Sequence, residues 1–331
     1  MNSFYPLKVS QIRTLTTNAV ELKFEILSEL KLKFNFKAGQ YITIKQTING
    51  EEVRRSYSIC SSNAEGICVG VKHVEGGKMS SFLTTNIKEG DILEVMPPTG
   101  NFILQGKNVV GICAGSGITP IISMIKAHNS NFTLIYGNQT ISSTMFYDDL
   151  KELNVKSFFV FSKEKVDGAM EGRIDTTLLE SLSGNICSAD DFFICGPGEM
   201  IDEVSDFLLK KGIEKSHIHF ERFTASKKQK QTEQKDEITS NVLVSLDGDD
   251  FEFQLSSNGQ SILDAAMEAG ADVPFSCKGA ICCTCKAKVM QGKAIMDKNY
   301  SLSKEEVSEG YVLTCQAHPV TANIMIDYDE I

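Results

Sequence analysis

The sequence lacks three features that would place it in other classes of protein. It has no run of about 18 apolar residues, the length a helix needs to cross a bilayer, so we expect no membrane insertion. No apolar N-terminal segment resembles a secretory signal, which predicts a cytoplasmic protein in a reducing compartment. Acidic side chains outnumber basic ones by 43 to 33, and no basic patch interleaved with aromatic residues occurs. Nucleic acid is therefore not an expected partner.

One segment interrupts the globular composition of the 331 residues. Residues 224–240 contain a single large apolar side chain and are rich in Lys, Gln and Glu. Such a segment cannot bury enough surface to offset its ordering entropy, so we predict a flexible linker there. A tether that lets the last domain swing and a passive spacer fit this composition equally well. The predicted domains are then 1–105, 106–223 and 241–331.

Four of the ten cysteines have a spacing with chemical meaning. Cys277, Cys282 and Cys285 form C-x4-C-x2-C, and Cys315 follows after 29 intervening residues. This spacing predicts four thiolate ligands of a plant-type [2Fe–2S] cluster. Zinc is disfavoured because its sites usually pair ligands at both ends, although zinc and free thiols remain alternatives. Cys283 breaks the spacing, so we interpret it as a packing residue or a shielded thiol.

The surroundings of these cysteines resemble a ferredoxin of the β-grasp (α+β) type. Strands are predicted at 241–246 and 251–255, a capped helix at 261–269, and later strands at 311–314 and 323–326. The domain has 14 acidic and 6 basic side chains, a net of −8 out of −10 for the whole chain. An acidic domain would steer towards a basic docking surface on its partner, or its charge would serve solubility alone.

The middle domain alternates apolar strands with helical stretches, which predicts an α/β domain with a doubly wound parallel sheet. Two glycine-containing turns follow predicted strands, at 114–120 and 195–200. Both lie at the carboxyl ends of their strands, where open α/β sheets bind ligands, and a helix N-terminus suits a pyrophosphate. The turns therefore predict a dinucleotide site, although Cys195 taken alone could be only a buried thiol.

The N-terminal domain is predicted to be a small antiparallel β-barrel with a hairpin turn at Asn49-Gly50. Two of its segments carry chemistry. Residues 55–58 offer a cation, an aromatic ring and a hydroxyl along one strand. Residues 76–83 join a glycine turn to the start of a helix, a suitable place for a pyrophosphate.

Five motifs across these domains occur in the order found in the ferredoxin–NADP reductase superfamily, which the chain resembles. They are Arg55-x-Tyr57-Ser58, Gly77-x-x-Ser80, Gly115-x-Gly117-x-Thr119-Pro120, Cys195-Gly196-Pro197-Gly198 and Glu221-x-Phe223. The fused C-terminal ferredoxin domain narrows the resemblance to reductase components of multicomponent oxygenases.

The resemblance implies an FAD site and a nicotinamide nucleotide site. For the flavin, it places Arg55 on a phosphate, Tyr57 on the isoalloxazine ring and Ser58 near N5. The pyrophosphate would be held by the amides of Gly77, Lys78, Met79 and Ser80, with Glu221 and Phe223 closing the site. For the nucleotide, it implies Gly115, Gly117, Thr119, Pro120, Cys195, Gly196 and Pro197, with Ser58, Thr119 and Cys195 nearest the reacting atoms.

Two longer stretches, 277–288 and 310–319, are similar to the reductase subunits of ring-1,2-phenylacetyl-CoA epoxidases, which function in phenylacetate catabolism. That subgroup implies NADPH and a di-iron oxygenase partner. Gln139 departs from its pattern, because relatives often have Arg there, which could bind the adenosine 2′-phosphate. Ser162, Lys163 and Arg173 remain possible partners of that phosphate, so we expect NADPH with NADH as the alternative.

The predicted function is electron transfer from NAD(P)H through FAD and [2Fe–2S] to an external oxygenase. The cofactors carry this chemistry and the protein orients them, which agrees with five histidines that form no catalytic constellation. Two rival functions remain. The first is a reductase for another aromatic-ring or steroid hydroxylating oxygenase. The second is a non-catalytic redox or metal-sensing module.

Overall fold

The computed structural model describes residues 4–128, 131–153, 155–223 and 237–330. The chain divides into two compact units, Phe4–Phe223 and a C-terminal unit within Thr224–Ile331. Most of the predicted linker, residues 224–236, lies outside the described residues. Its last two residues, Thr239 and Ser240, already belong to the first strand of the C-terminal unit. Among the described residues, no helix is long and apolar enough to cross a membrane.

The first part of the larger unit is a six-stranded antiparallel sheet with one helix. Its elements are β1 Tyr5–Thr16, β2 Ala19–Glu25, β3 Tyr41–Ile48, β4 Glu51–Ser58, β5 Cys68–Lys72, α1 Lys78–Thr85 and β6 Ile92–Thr99. The strand order is β4-β3-β6-β1-β2-β5. An antiparallel bridge between Ile59 and Val69 joins the two edges of the sheet. The sheet therefore closes on itself, which confirms the predicted antiparallel barrel.

A two-residue turn sets the register of β3 and β4. Asn49 and Gly50 have φ of +53° and +79°, the left-handed values that a tight hairpin of this kind requires. Ile48 therefore pairs with Glu51, and the same ladder pairs Ile42 with Tyr57. Successive side chains of a strand alternate between faces, so Arg55 and Tyr57 share one face and Ser58 lies on the other.

The second part of the larger unit is a parallel sheet with helices on both faces. Its elements are β7 Val109–Ala114, α2 Ile118–Ala127, β8 Phe132–Asn138, α3 Tyr147–Glu152, β9 Lys156–Phe161, β10 Met170–Glu171, α4 Thr176–Ile186, β11 Asp191–Gly196, α5 Gly198–Lys210 and β12 Ile218–Arg222. The order is β10-β9-β8-β7-β11-β12, and every pair is parallel. Separate apolar cores lie on the α2 face and on the α4–α5 face. The predicted doubly wound sheet is confirmed.

Several contacts join the barrel to the parallel-sheet domain. Arg13 of β1 forms an ion pair with Asp149 of α3 at 2.9 Å. Lys126 of α2 forms another with Glu65, in the loop before β5, at 2.8 Å. The buried Ser123 hydroxyl donates to the Ser61 carbonyl oxygen at 2.7 Å. These contacts lie on different strands and loops, so the two domains are held at several separate points.

The C-terminal unit is a mixed five-stranded sheet packed against one helix. Its elements are β13 Thr239–Leu246, β14 Asp249–Ser256, α6 Ile262–Glu268, β15 Lys286–Gln291, β16 Ala294–Met296, α7 Lys304–Ser308, β17 Tyr311–Leu313, β18 Ala317–Pro319 and β19 Asn323–Asp327. The order is β14-β13-β19-β15-β17, with β13 and β19 parallel. Ser261 caps α6 as predicted, because its hydroxyl accepts the Asp264 N–H at 3.2 Å. This is the predicted β-grasp arrangement.

Candidate flavin, nucleotide and cluster sites

Ser58, at the end of β4, reaches from the barrel to the last strand of the parallel sheet. Its hydroxyl donates to Oε2 of Glu221 at 3.3 Å. Glu221 lies in β12 directly beside Cys195 of β11. Burial raises the pKa of Glu221 to about 8, and the hydrogen bond from Ser58 opposes that rise. The Glu221 carboxyl can therefore hold a proton at neutral pH next to the strand end that carries Ser58.

The turn between β7 and α2 lies against the backbone of β11. A Cβ atom on Gly117 would lie 2.1 Å from the Cys195 carbonyl oxygen, so only glycine fits there. Gly115 has a φ of +56°, which also favours glycine. Thr119, buried in the first turn of α2, donates its hydroxyl proton to the Ser116 carbonyl oxygen at 3.0 Å. The structure thus brings these predicted nucleotide residues together.

The second glycine turn is packed just as closely against the first. A Cβ atom on Gly196 would lie 2.7 Å from the Met200 side chain and 3.2 Å from the Ala114 backbone nitrogen. Pro197 precedes the first residue of α5, and Pro120 is buried within α2. The two turns therefore lie side by side at the carboxyl edge of the sheet, where the resemblance places the nicotinamide nucleotide.

One residue at the contact between the barrel and the parallel-sheet domain belongs to no motif in the sequence. A Cβ atom on Gly70 of β5 would lie 2.7 Å from the Thr119 methyl group. Gly70 therefore lets the barrel approach Thr119 closely. No motif could have identified it, because its constraint comes from a domain 49 residues further along the chain.

The start of α1 is fixed by Ser80. Its hydroxyl accepts the Val74 N–H at 3.2 Å and donates to the Gly77 carbonyl oxygen at 3.3 Å. Met79 is buried in the barrel core, so only its backbone is available to a ligand. The Lys78 ammonium forms an ion pair with Glu51. The Gly77 N–H already donates to the Val74 carbonyl oxygen at 2.9 Å, so the backbone amides of the helix start that follow Gly77 are the groups suited to a pyrophosphate.

The remaining predicted flavin residues differ in exposure. Arg55 is exposed, and its guanidinium donates to the Arg54 carbonyl oxygen at 2.7 Å. Tyr57 packs against the barrel core, and burial raises its pKa above the usual value for a phenol. Phe223 is 41% exposed. No ring pair joins Phe223 to Tyr57 in the described part of the chain.

The four cysteines of the C-terminal unit lie as two pairs of thiols. In the first pair, the Sγ atoms of Cys277 and Cys282 are 3.2 Å apart. Backbone N–H groups of Gly279, Ile281 and Cys282 donate to the Cys277 sulfur at 3.3 to 3.4 Å. The thiol of Cys282 and these amides lower the pKa of Cys277 to about 5. Left-handed backbone at Lys278 and Ala280 curls the loop around the sulfur.

Cys285 and Cys315 form the second pair. A hydrogen bond from the Cys285 thiol lowers the pKa of Cys315, while the same contact and burial raise the pKa of Cys285. Across the described residues, no three His, Cys, Asp or Glu side chains are placed to surround a single metal ion. Two pairs of thiols, with amides directed at one sulfur, instead fit a cluster in which each of two irons takes two cysteines.

Fold and sites together define an oxidoreductase with a flavin domain, a nucleotide domain and an iron–sulfur domain. Three families match in that order: "Oxidoreductase FAD-binding domain" over residues 6–103, "Oxidoreductase NAD-binding domain" over 112–206 and "2Fe-2S iron-sulfur cluster binding domain" over 244–320. These matches support FAD, a nicotinamide nucleotide and a [2Fe–2S] cluster as cofactors.

Individual relatives match along the whole chain. It is 40% identical to a component of the 1,2-phenylacetyl-CoA epoxidase of Escherichia coli, with 99% of each chain covered. It is 30% identical to "3-ketosteroid-9-alpha-monooxygenase, ferredoxin reductase component" of Rhodococcus rhodochrous, over 97% of this chain and 96% of the relative. The chain therefore belongs to the ferredoxin–NADP reductase superfamily, in the group with a fused plant-type ferredoxin. It is an NAD(P)H-dependent flavin iron–sulfur oxidoreductase.

Two solved structures share the fold. Phthalate dioxygenase reductase superposes with a TM-score of 0.62 at 24% identity, with 98% of each chain covered. An intact type IV self-sufficient cytochrome P450 monooxygenase gives a TM-score of 0.75 at 20% identity. In that case the match covers 98% of this chain but 41% of the P450 chain.

Proposed function

We propose that this protein is the reductase subunit of a ring-1,2-phenylacetyl-CoA epoxidase and delivers electrons from NAD(P)H to a di-iron oxygenase. The observation that carries the proposal is the 40% identity to the Escherichia coli epoxidase component along 99% of both chains. A reductase serving a steroid oxygenase is the second candidate, favoured by the 30% identity to the Rhodococcus protein.

The chain's own residues position the cofactors and hold a proton. When bound, the nicotinamide supplies a hydride, the flavin converts the electron pair into single electrons, and the cluster carries one at a time. Burial holds a proton at the Glu221 carboxyl, which lies 3.3 Å from the Ser58 hydroxyl at the end of β4. The turn at Gly117, packed against Cys195, fixes where the nucleotide lies. Close packing at Gly70 and Thr119 holds the barrel against the first turn of α2.

In the C-terminal unit, we infer that the two pairs of thiols are the cluster ligands. Cys277 and Cys282 would bind one iron of the cluster, and Cys285 and Cys315 would bind the other. Amides directed at the Cys277 sulfur stabilise its thiolate, the form that binds metal.

NADPH is the proposed donor, because two cations lie where a 2′-phosphate could bind. The backbone N–H of Lys163 donates to the Gln139 carbonyl oxygen at 3.0 Å, which places Lys163 beside the end of β8. Arg173 follows β10, the neighbour of β9. Neither side chain forms an ion pair with another described residue.

Lys163→Ala should raise KM for NADPH about tenfold and leave KM for NADH unchanged.

We further propose that the protein acts in the cytoplasm and that its acidic C-terminal domain docks on a basic surface of the oxygenase. The net charge of −8 on residues 241–331 supports this partner chemistry.

Reconstitution tests the function directly. The purified protein is combined with the oxygenase subunits of a phenylacetyl-CoA epoxidase, and NADPH consumption is followed with phenylacetyl-CoA present or absent. Consumption coupled to formation of the epoxide is expected. If NADPH is oxidised only when a steroid oxygenase and its substrate replace the epoxidase subunits and phenylacetyl-CoA, the second candidate is correct. If NAD(P)H reduces neither the flavin nor cytochrome c, the protein is a redox or metal-sensing module instead.

A further inference from the structure

The glycine turn between β7 and α2 is held from within the sheet by the hydroxyl of a tyrosine. Tyr136 lies in β8 directly beside Cys113 of β7, and its side chain is fully buried. Its hydroxyl donates to the Gly115 carbonyl oxygen at 3.0 Å. Gly115 is the residue whose left-handed backbone begins the turn. The hydrogen bond therefore acts on the peptide group between Gly115, whose backbone is left-handed, and Ser116.

This hydrogen bond fixes the orientation of a whole peptide group. A trans peptide is planar, so its C=O and N–H point in opposite directions. With the Gly115 carbonyl directed towards Tyr136, the Ser116 N–H points the other way, out of the sheet. The next carbonyl, that of Ser116, is held by the Thr119 hydroxyl at 3.0 Å. Both carbonyls are thus occupied inside the fold, where the Ile118 N–H also donates to them. The Ser116 N–H is therefore the amide of this turn that we expect to face an anionic ligand.

The same hydroxyl connects the turn to the barrel. It lies 3.3 Å from the Met145 carbonyl oxygen, a second acceptor. The Met145 side chain comes within 3.1 Å, and the Phe146 ring within 3.4 Å, of the position a Cβ atom would take on Gly70. A line of contacts therefore runs from the nucleotide turn through Tyr136 to β5 of the flavin domain.

We propose that Tyr136 is a positioning residue for hydride transfer: its hydroxyl orients the Gly115–Gly117 turn and so places the nicotinamide nucleotide relative to the flavin. This role rests on the proposed binding of the nucleotide at this turn. Tyr136 acts through Gly115. A misplacement of about 1 Å can reduce a rate roughly 100-fold, so one hydroxyl is enough to matter.

Tyr136→Phe removes the donor and keeps the ring. In the full-length, cofactor-loaded protein, anaerobic stopped-flow would follow flavin reduction by NADPH, without any oxygenase. We expect the apparent Kd for NADPH to rise about fivefold and the limiting rate to fall roughly tenfold. Oxidation of the dithionite-reduced flavin by ferricyanide should be unchanged, because that step needs no nucleotide. Since no oxygenase is present, failure of the proposed epoxidase role would not alter this result.

Tyr328→Phe is the matched control. Tyr328 is also buried, and its hydroxyl donates to Thr314 Oγ1 at 2.6 Å in the C-terminal unit. Flavin reduction by NADPH should be the same in this variant as in the wild type. Kinetic constants of Tyr136→Phe within twofold of the wild type would overturn the proposal. So would a variant with a lower melting temperature but normal constants.

A second variant decides the matter if Tyr136→Phe does not accumulate with flavin bound. Tyr136→4-aminophenylalanine places an N–H donor on the same ring carbon. A Kd for NADPH within about threefold of the wild-type value supports the positioning role, because the donor is restored. A flavin-loaded 4-aminophenylalanine variant with a Kd raised about tenfold or more would contradict it.

Discussion

Glu221 is the residue whose protonation should govern the pH dependence of the flavin site. Its pKa of about 8 in the folded protein exceeds the usual value of 4.5 because burial disfavours the carboxylate. This group therefore contributes stability that is fully present below pH 4.5 and lost as the pH rises through 8. Glu221→Gln should then become more stable than the wild type as the pH rises, by roughly 2–4 kcal/mol at about pH 9.

Two measurements check this prediction. Thermal unfolding from about pH 5 to about pH 9 should show a growing gain for Glu221→Gln, and the limiting rate of flavin reduction should lose its inflection near pH 8. Glu152→Gln changes an exposed carboxyl and serves as the control. An inflection that persists in Glu221→Gln would assign the titration to another group.

Gly117 offers a second test at the residue scale. Gly117→Ala places a methyl group 2.1 Å from the Cys195 carbonyl oxygen, so the turn must move. We expect flavin reduction by NAD(P)H to fall at least about tenfold and the unfolding free energy to fall by about 2 kcal/mol. Gly184→Ala in α4 is the control. It meets nothing within 4 Å and should stabilise the helix by about 0.8 kcal/mol. Equal kinetics in the two variants would show that the turn tolerates displacement.

The sequence pointed to Ser58, Cys195 and Glu221 because each lies in a short motif whose spacing is local. Gly70 had no such signal, and Tyr136 lies in the motif whose Gln139 departs from the family pattern, which assigns no role to Tyr136. Their importance comes from contacts between elements far apart in the chain, such as Gly70 with Thr119. The roles of the motif residues remain predictions, although the structure brings Ser58, Glu221 and Cys195 together.

At the scale of elements, the loop that carries Cys277 and Cys282 is predicted to serve only the last electron-transfer step. Cys277→Ser should leave flavin reduction by NAD(P)H intact and abolish the reduction of cytochrome c. It should also remove the visible absorption bands of the cluster, because one iron loses a thiolate. Absorption spectra and stopped-flow kinetics measure the two effects separately.

Cys283→Ser is the control for this loop. The Cys283 sulfur contacts the Ser301 carbonyl oxygen at 3.6 Å and belongs to neither pair of thiols. Its substitution should retain the cluster bands and cytochrome c reduction. Loss of the bands in Cys283→Ser but not in Cys277→Ser would reverse the ligand assignment.

Element boundaries were predictable where the pattern of apolar residues was regular. The apolar run at residues 108–113 predicts a strand, and the amphipathic stretch that ends at residue 127 predicts a helix. The strand Val109–Ala114 and the helix Ile118–Ala127 lie close to these positions. The twelve-residue strand β1 was not predicted, because bulges after Val9 and Thr14 break the alternation of its side chains. The helical periodicity of residues 143–153 predicts a helix over that range, but α3 begins only at Tyr147, since Phe146 has left-handed backbone with a φ of +59°.

At the scale of the whole molecule, the uneven distribution of charge predicts a step that depends on salt. Electron transfer to the oxygenase should slow as ionic strength rises from about 20 to about 500 mM, by roughly tenfold, because the acidic domain loses its attraction to a basic partner. Flavin reduction by NAD(P)H should change much less over the same range. Stopped-flow measurement of both steps would check this. A transfer rate that is independent of salt would show that the charge serves solubility.

The contacts between the barrel and the parallel sheet have a mechanical consequence. They are spread across the junction: Arg13 with Asp149, Ser61 with Ser123, Glu65 with Lys126, Gly70 with Thr119, and Ser58 with Glu221. Two rigid domains need fewer separate contacts than these five to keep a fixed relative orientation. The alignment of the two domains is therefore redundant, so the loss of a single peripheral attachment such as the Arg13 ion pair leaves the remaining ones to preserve it.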